Sequence, residues 1–307
     1  GGSRIREHQC STISHGRSVL ACRTQTQLVA KQSFSSSFLI FLNQVAVGGV
    51  FALAATPFHE LDRAFYKSTA GVLFVVALLG LWGESQFYWQ TVATRSALAS
   101  GAELFVHFAF LFCLGAYVAS LWTEKQSFRA RSFAGAILTG FAGLVISAVN
   151  SFAAAPAPGW EVLLYPISFF LSAVLLGSVT VGMLIGHWYL IDTGQSIEPF
   201  VRVYKFFVAA LALQSGFLLL SVLLIYFAGA PASLESLSTF WSRHSTLFMT
   251  RVVVGQGAPL ALSWMIWRTL KIPHTMAATG LFYIALLGVF VGEILGRQIL
   301  TLSALPF

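Results

Sequence analysis

Glu103 and His107 stand four residues apart inside an otherwise apolar stretch. At that spacing a carboxylate and an imidazole share one face of a helix. Together they can accept protons from the hydroxyls of a bound quinol as its electrons leave. The plainer role for the pair is a snorkelling glutamate beside a histidine hydrogen-bonded to a neighbouring helix. Glu84 closes the preceding apolar stretch and can line the same cavity. Earlier still come Asn43 and Gln44, followed by Gly48 and Gly49. The two amides can hold helices together, Gln44 can also bind a quinone carbonyl, and the glycine pair permits close helix approach. Near the C-terminus, Glu293 and Arg297 repeat the four-residue spacing in the favourable acid-first order. Each intramembrane charge costs roughly 2.5–3.5 kcal/mol on insertion scales. This pair is therefore expected to neutralise itself, as a structural ion pair near the site that fixes the last span or shapes a quinone pocket.

Other chemistry-bearing residues point less far. His187, in the run Gly186-His187-Trp188-Tyr189-Leu190, is a haem-ligand candidate only if a second histidine faces it at similar depth. His107 is expected near the opposite face, and His59 and His274 in loops. His244, Arg251 and Tyr165 read as structural or interfacial. Asp192 and Glu198 sit in a loop beside basic residues and read as a solvated face. The three cysteines, Cys10, Cys22 and Cys113, form no CxxC pair, so no iron–sulfur, zinc or c-type haem signature is present. Cys113 lies mid-helix as a small packing residue. No Ser-His-Asp order, HExxH, P-loop or glycine-rich nucleotide fingerprint appears. No residue is assigned to catalysis and none to a metal.

The elements that must position these groups follow from composition. Hydrophobic residues make up 57% of the 307 and charged residues 9%. Mean hydropathy is +0.78. Those values exclude an ordinary soluble domain. A spanning helix needs ~20 mainly apolar residues, and eight stretches supply that length: 34–56, 65–82, 97–122, 133–154, 163–190, 206–230, 247–267 and 276–300. In lipid such runs must be helical, because an open backbone would be left unsatisfied. The expectation is an all-α, polytopic bundle of eight transmembrane helices over residues 34–303.

The net charge of +7 does not call for nucleic acid. Nine Lys and Arg lie in the loops after the odd-numbered spans: Arg63, Lys67, Lys125, Arg129, Arg131, Arg202, Lys205, Arg268 and Lys271. Three lie on the other side: Arg95, Arg243 and Arg251. By the positive-inside rule the first set is cytoplasmic and both termini face outside. Residues 1–33 are polar, carry five basic residues before position 32 and read as a disordered or non-native leader. No matched pair of broken helices marks an internal transporter repeat.

Four stretches carry a family resemblance. The first is Leu39-Ile-Phe-Leu-Asn-Gln44-Val-Ala-Val-Gly48-Gly49, and the second Ser96-Ala-Leu-Ala-Ser-Gly-Ala-Glu103. The third is Trp160-Glu-Val-Leu-Leu-Tyr-Pro166-Ile-Ser-Phe169-Phe170, and the fourth Gly292-Glu-Ile-Leu-Gly-Arg297. In this order they resemble the membrane-anchor subunit of dimethyl-sulfoxide-reductase-type enzymes, within the NrfD and polysulfide-reductase anchor superfamily. The likeness covers nearly all of residues 34–300. It implies a menaquinol oxidation site near the outer face of a bacterial or archaeal cytoplasmic membrane. It also implies an iron–sulfur partner subunit, a molybdopterin catalytic subunit and no metal held by this chain. Glu103 is the residue it carries over as quinol-contacting. One departure stands out: the family places a functional histidine in the loop after span two, where this chain reads Trp82-Gly-Glu84-Ser85-Gln86-Phe87. His107 or Glu84 is then expected to handle protons instead. The competing readings are a proton- or ion-coupled transporter using Glu103, His107, Glu293 and Arg297 as a relay, and a haem-b electron carrier.

Overall fold

The computed structural model describes residues 16–56, 58, 60–94, 97–152, 159–192, 194–272 and 274–306, with side chains left aside for 16–33, 88–94, 97 and 152. Among these residues the chain is helical, without a strand. The helices are α1 (Gly16–Ala54), α2 (Arg63–Thr94), α3 (Ala97–Ser120), α4 (Gln126–Phe152), α5 (Leu164–Ile191), α6 (Glu198–Ala228), α7 (Pro231–Val252), α8 (Ala258–Lys271) and α9 (Thr275–Ser303). A single 3-10 turn, Trp160–Leu163, leads into α5.

Among the described residues seven segments are long and apolar enough to cross a membrane: Phe34–Ala54, Arg63–Phe87, Leu98–Ser120, Gln126–Ser151, Trp160–Ile191, Glu198–Ala228 and Thr275–Ser303. The stretch 247–267, expected as one span, is not a continuous α-helix. It crosses the end of α7, a π-helical segment Val253–Gly257 and the start of α8. Pro259 supplies the reason, since it has no N–H to donate one turn back, and Gly255 and Gly257 are poor helix formers. A bend lies in α7 at His244, whose φ of −134° and ψ of 21° leave the helical region.

α1 and α5 are the most buried of the spanning segments and form the axis of the bundle. They touch backbone to backbone. A Cβ added at Gly48 would lie 1.6 Å from the Ala173 carbonyl oxygen, and one at Gly177 1.8 Å from the Gly48 carbonyl carbon. Close approach of this kind lets helices gain dispersion contacts where lipid offers no hydrophobic drive. Around the axis, α2 packs on α1, α3 on α4, α6 and α9 on α5, and α8 on α9.

α3 shows how sequence spacing sorts the faces. Phe105, Phe108 and Phe112 are exposed, whereas His107, Phe110 and Leu114 are buried. The outward aromatics form an apolar surface fit for lipid, and the inward face brings His107 toward α2 and α4.

Replacing Gly177 with Ala forces apart the backbone contact between α1 and α5. Overpacking costs about 1–3 kcal/mol, so Gly177→Ala is expected to lower the melting temperature of the detergent-solubilised protein. Gly216, on α6, has nothing within 4 Å of an added Cβ. Gly216→Ala is the control and should leave the melting temperature unchanged or slightly raised.

Candidate functional site

A chain of polar side chains crosses from α1 to α4 within the apolar bundle. Asn43 on α1 donates its amide N–H to Glu84 Oε1 at 2.5 Å. The other oxygen of that carboxylate lies 2.7 Å from His107 Nδ1. On the far side of the imidazole, Nε2 is 3.4 Å from Ser147 Oγ. Ser147 donates its hydroxyl to Glu103 Oε1 at 2.6 Å, and Asn150 donates to Glu103 Oε2 at 2.6 Å. The second amide proton of Asn150 serves the Ala99 carbonyl at 3.3 Å. Glu84, Glu103 and His107, three of the residues singled out in the sequence, therefore belong to one network.

Local structure explains the convergence. Glu103 and His107 share a face of α3, and Ser147 and Asn150, three apart, share the facing side of α4. Gly143 lies one turn earlier on α4, and a Cβ there would come within 2.9 Å of the His107 ring. The ring occupies the space that this glycine leaves. His107 is only 4% exposed, while the Glu84 side chain is 17% exposed.

The donor count shows what the network can do. Ser147 has one hydroxyl proton and gives it to Glu103, the nearer acceptor. The imidazole Nε2 must then supply the proton in its contact with Ser147, and Nδ1 shares one with Glu84. Two carboxylates, one imidazole and one hydroxyl thus form a continuous hydrogen-bonded line, Glu84–His107–Ser147–Glu103. Reversing the hydrogen bonds along that line moves a proton from one carboxylate to the other without rearranging the helices.

Gln44 is not part of this line. It is fully buried and donates to the Phe169 carbonyl of α5 at 3.1 Å. One residue along α1 from Asn43, its side chain leaves in a different direction and reaches a second polar centre among α5, α6, α7 and α9.

This second centre corrects the expected ion pair. Glu293 is paired with Arg251, their charged atoms 3.6 Å apart, and not with Arg297. Arg297 Nη2 donates to Ser172 Oγ at 3.0 Å and Ser168 Oγ at 3.3 Å, and its guanidinium lies 4.5 Å from the centroid of the Phe169 ring. Gln214 on α6 ties the two halves together by donating to Ser172 at 3.2 Å and Glu293 at 3.4 Å. Residues four apart on α9 share a face but need not meet when neighbouring helices offer partners. The bent α7 rod supplies Arg251 and α5 supplies two serines. A Cβ at Gly296 would collide with the Arg251 guanidinium, so Arg251 crosses α9 over that glycine. All three charged residues are buried, at 0–1% exposure.

Arg251 and Gln214, together with Ser147, Asn150 and the Ser168–Ser172 pair, carry these centres, and the spans as read from the sequence passed over their functional weight. The available signal was a polar residue three or four positions from another within an apolar span. Glu161 was passed over as well. It is buried, accepts from the Ala230 N–H at 2.8 Å and from Ser233 at 2.5 Å, and so caps α7 with a carboxylate where the helix dipole favours one. Tyr165 donates to the Ala304 carbonyl just past α9.

The remaining histidines stand apart. His187 Nδ1 meets the Tyr283 hydroxyl at 3.2 Å, His244 sits in the α7 bend, and His59 lies outside the described residues. No group of three or more His, Cys, Asp or Glu suited to a metal ion occurs among the described residues. Neither the protein-family models nor the curated proteins match this chain.

The second centre holds two guanidinium groups against one carboxylate, so its members are not equivalent. Removing Glu293 leaves two buried positive charges facing each other, whereas removing Arg251 leaves one charge of each sign. Uncompensated buried charge costs about 3–5 kcal/mol. Glu293→Gln is therefore expected to lower detergent melting temperature and yield more than Arg251→Gln. Equal losses would mean an isolated ion pair rather than a three-charge cluster.

Proposed function

We propose that this chain is a quinol-oxidising, or quinone-reducing, membrane anchor of a multisubunit oxidoreductase. In this reading the bent α7–α8 rod is the seventh of eight crossings. Both termini face outside, and the basic loops face the cytoplasm of a bacterium or archaeon. The observation that carries the reading is the Glu84–His107–Ser147–Glu103 line. It offers proton acceptors inside an apolar bundle, at the end opposite the basic loops.

Oxidation of a bound quinol, probed first as menaquinol, releases two electrons and two protons. Glu103 and the Glu84–His107 pair take the protons at the carboxylate oxygens and the imidazole, and the part-exposed Glu84 passes them outward. The electrons leave to an iron–sulfur partner subunit and from there to a molybdopterin catalytic subunit, the pair of partners implied by the resemblance in the sequence. Where that family has a histidine after its second helix, this chain has Glu84, and the imidazole reaches the same carboxylate from α3 as His107. The replacement keeps an acid–imidazole pair while moving the imidazole to a different helix.

A second reading, a proton- or ion-coupled transporter, is favoured by the interrupted α7–α8 rod beside Arg251 and Glu293. Broken helices next to buried charge are a feature of transporter sites. Uptake by proteoliposomes containing the purified chain distinguishes the two.

Glu103→Gln keeps the shape of the side chain, with its carbonyl oxygen still accepting from Asn150 and its NH2 donating to Ser147 in a reversed bond, while removing the proton acceptor. Positioned acid–base groups contribute typically 10²–10⁴-fold. Glu103→Gln is expected to purify with the same melting temperature and partners, and to oxidise menaquinol roughly 100-fold more slowly or worse. Normal quinol turnover in that variant would remove Glu103 from the site.

A further inference from the structure

The basic end of the bundle carries a groove between α6 and α8, with a volume of about 430 Å³. Val208, Ala209 and Ala212 line it on α6, and the small side chains of the two alanines make the recess. Tyr204 lies at its base, buried, and donates its hydroxyl to the Ser263 carbonyl at 2.9 Å, which holds α6 against α8. Trp267 on α8 forms the opposite wall.

Two cations stand in this lining, Lys205 from α6 and Lys271 from the last residue of α8. Both are exposed. Two other basic residues at this end have acidic neighbours: Arg63 lies 3.4 Å from Glu124, and Arg202 lies 3.8 Å from Glu60. Among the described residues no carboxylate pairs with Lys205 or Lys271. The Lys271 ammonium instead lies 3.7 Å from the centroid of the Trp267 ring. From Lys205 to Ala212 the groove runs about 10 Å along α6, a large part of the ~15 Å half-thickness of a bilayer core. An occupant must then present an anion at one end and an aliphatic chain behind it.

We infer that this groove is a binding site for an anionic phospholipid. The phosphate lies between Lys205 and Lys271, and an acyl chain follows Val208, Ala209 and Ala212 into the membrane. Trp267 sits at the interface, where indole rings partition, and the lysine stems reach the headgroup level by snorkelling. Basic pockets between transmembrane helices on the cytoplasmic side select anionic headgroups by this combination. An acidic protein segment would satisfy the two lysines but would leave the membrane-facing recess unused. The inference is independent of the quinol reading.

Native mass spectrometry of the full chain in mild detergent tests the site, with phosphatidylglycerol and phosphatidylcholine offered at equal concentration. The wild type is expected to retain one phosphatidylglycerol in preference to phosphatidylcholine. The Lys205→Gln/Lys271→Gln double variant should lose that equivalent, with affinity roughly 30-fold weaker and an unchanged lipid-free melting temperature. Equal retention of the two lipids by the wild type would overturn the site, as would full retention of phosphatidylglycerol by the double variant. Displacement of phosphatidylglycerol by a soluble poly-glutamate peptide, with no chain-length dependence of lipid binding, would reassign the lysines to a protein partner.

Discussion

The backbone contact between α1 and α5 at Gly48 and Gly177 is the constraint on which the polar interior depends. With a side chain at either position the axis of the bundle would open by ångströms. α1 carries Asn43 and Gln44 on adjacent residues, less than two turns before Gly48. Because neighbouring helical side chains point about 100° apart, one amide reaches Glu84 on α2 and the other the Phe169 carbonyl on α5. A wider crossing would pull Gln44 from α5 and leave buried hydrogen-bonding groups with neither water nor protein to satisfy them. Phe169 extends the link, since its carbonyl receives Gln44 and its ring lies against the Arg297 guanidinium.

The two polar centres bear the cost of burial differently. Around Glu84, His107 and Glu103 each carboxylate receives two neutral or shared protons from neighbouring helices. Charge is spread over a line with one end part-exposed, an arrangement suited to exchanging protons. Around Arg251, Glu293 and Arg297 the groups are almost completely enclosed. Charge is balanced by charge, hydroxyl groups and an aromatic face, an arrangement suited to holding α5, α6, α7 and α9 in place. The π segment and Pro259 belong to the same design. They interrupt the α-helical hydrogen bonding of the α7–α8 rod just past Arg251, which crosses α9 above Gly296.

The bundle is also asymmetric along its length. Both polar centres lie toward the end where α2, α4 and α9 finish, and Lys205 and Lys271 lie at the other. In the proposed reading protons are handled at one face and anionic lipid is held at the other, so that orientation is built into the charge distribution.

Much of this was legible in the sequence. Apolar run lengths determined seven of the membrane-length helices, because a backbone in lipid has few other ways to satisfy its polar groups. The four-residue spacing of Glu103 and His107 put them on one face, since a helix repeats every 3.6 residues. That Glu84 joins them, that Ser147 and Asn150 complete the line and that Gln44 turns away depends on which helices are neighbours, and no local pattern encodes this. The same holds for Glu293. Spacing along α9 offered Arg297 as its partner, but the bent rod brings in Arg251 from more than forty residues away in sequence, and the nearest available guanidinium takes the carboxylate. Periodicity along one helix determines which side chains share a face, and only packing determines what that face meets.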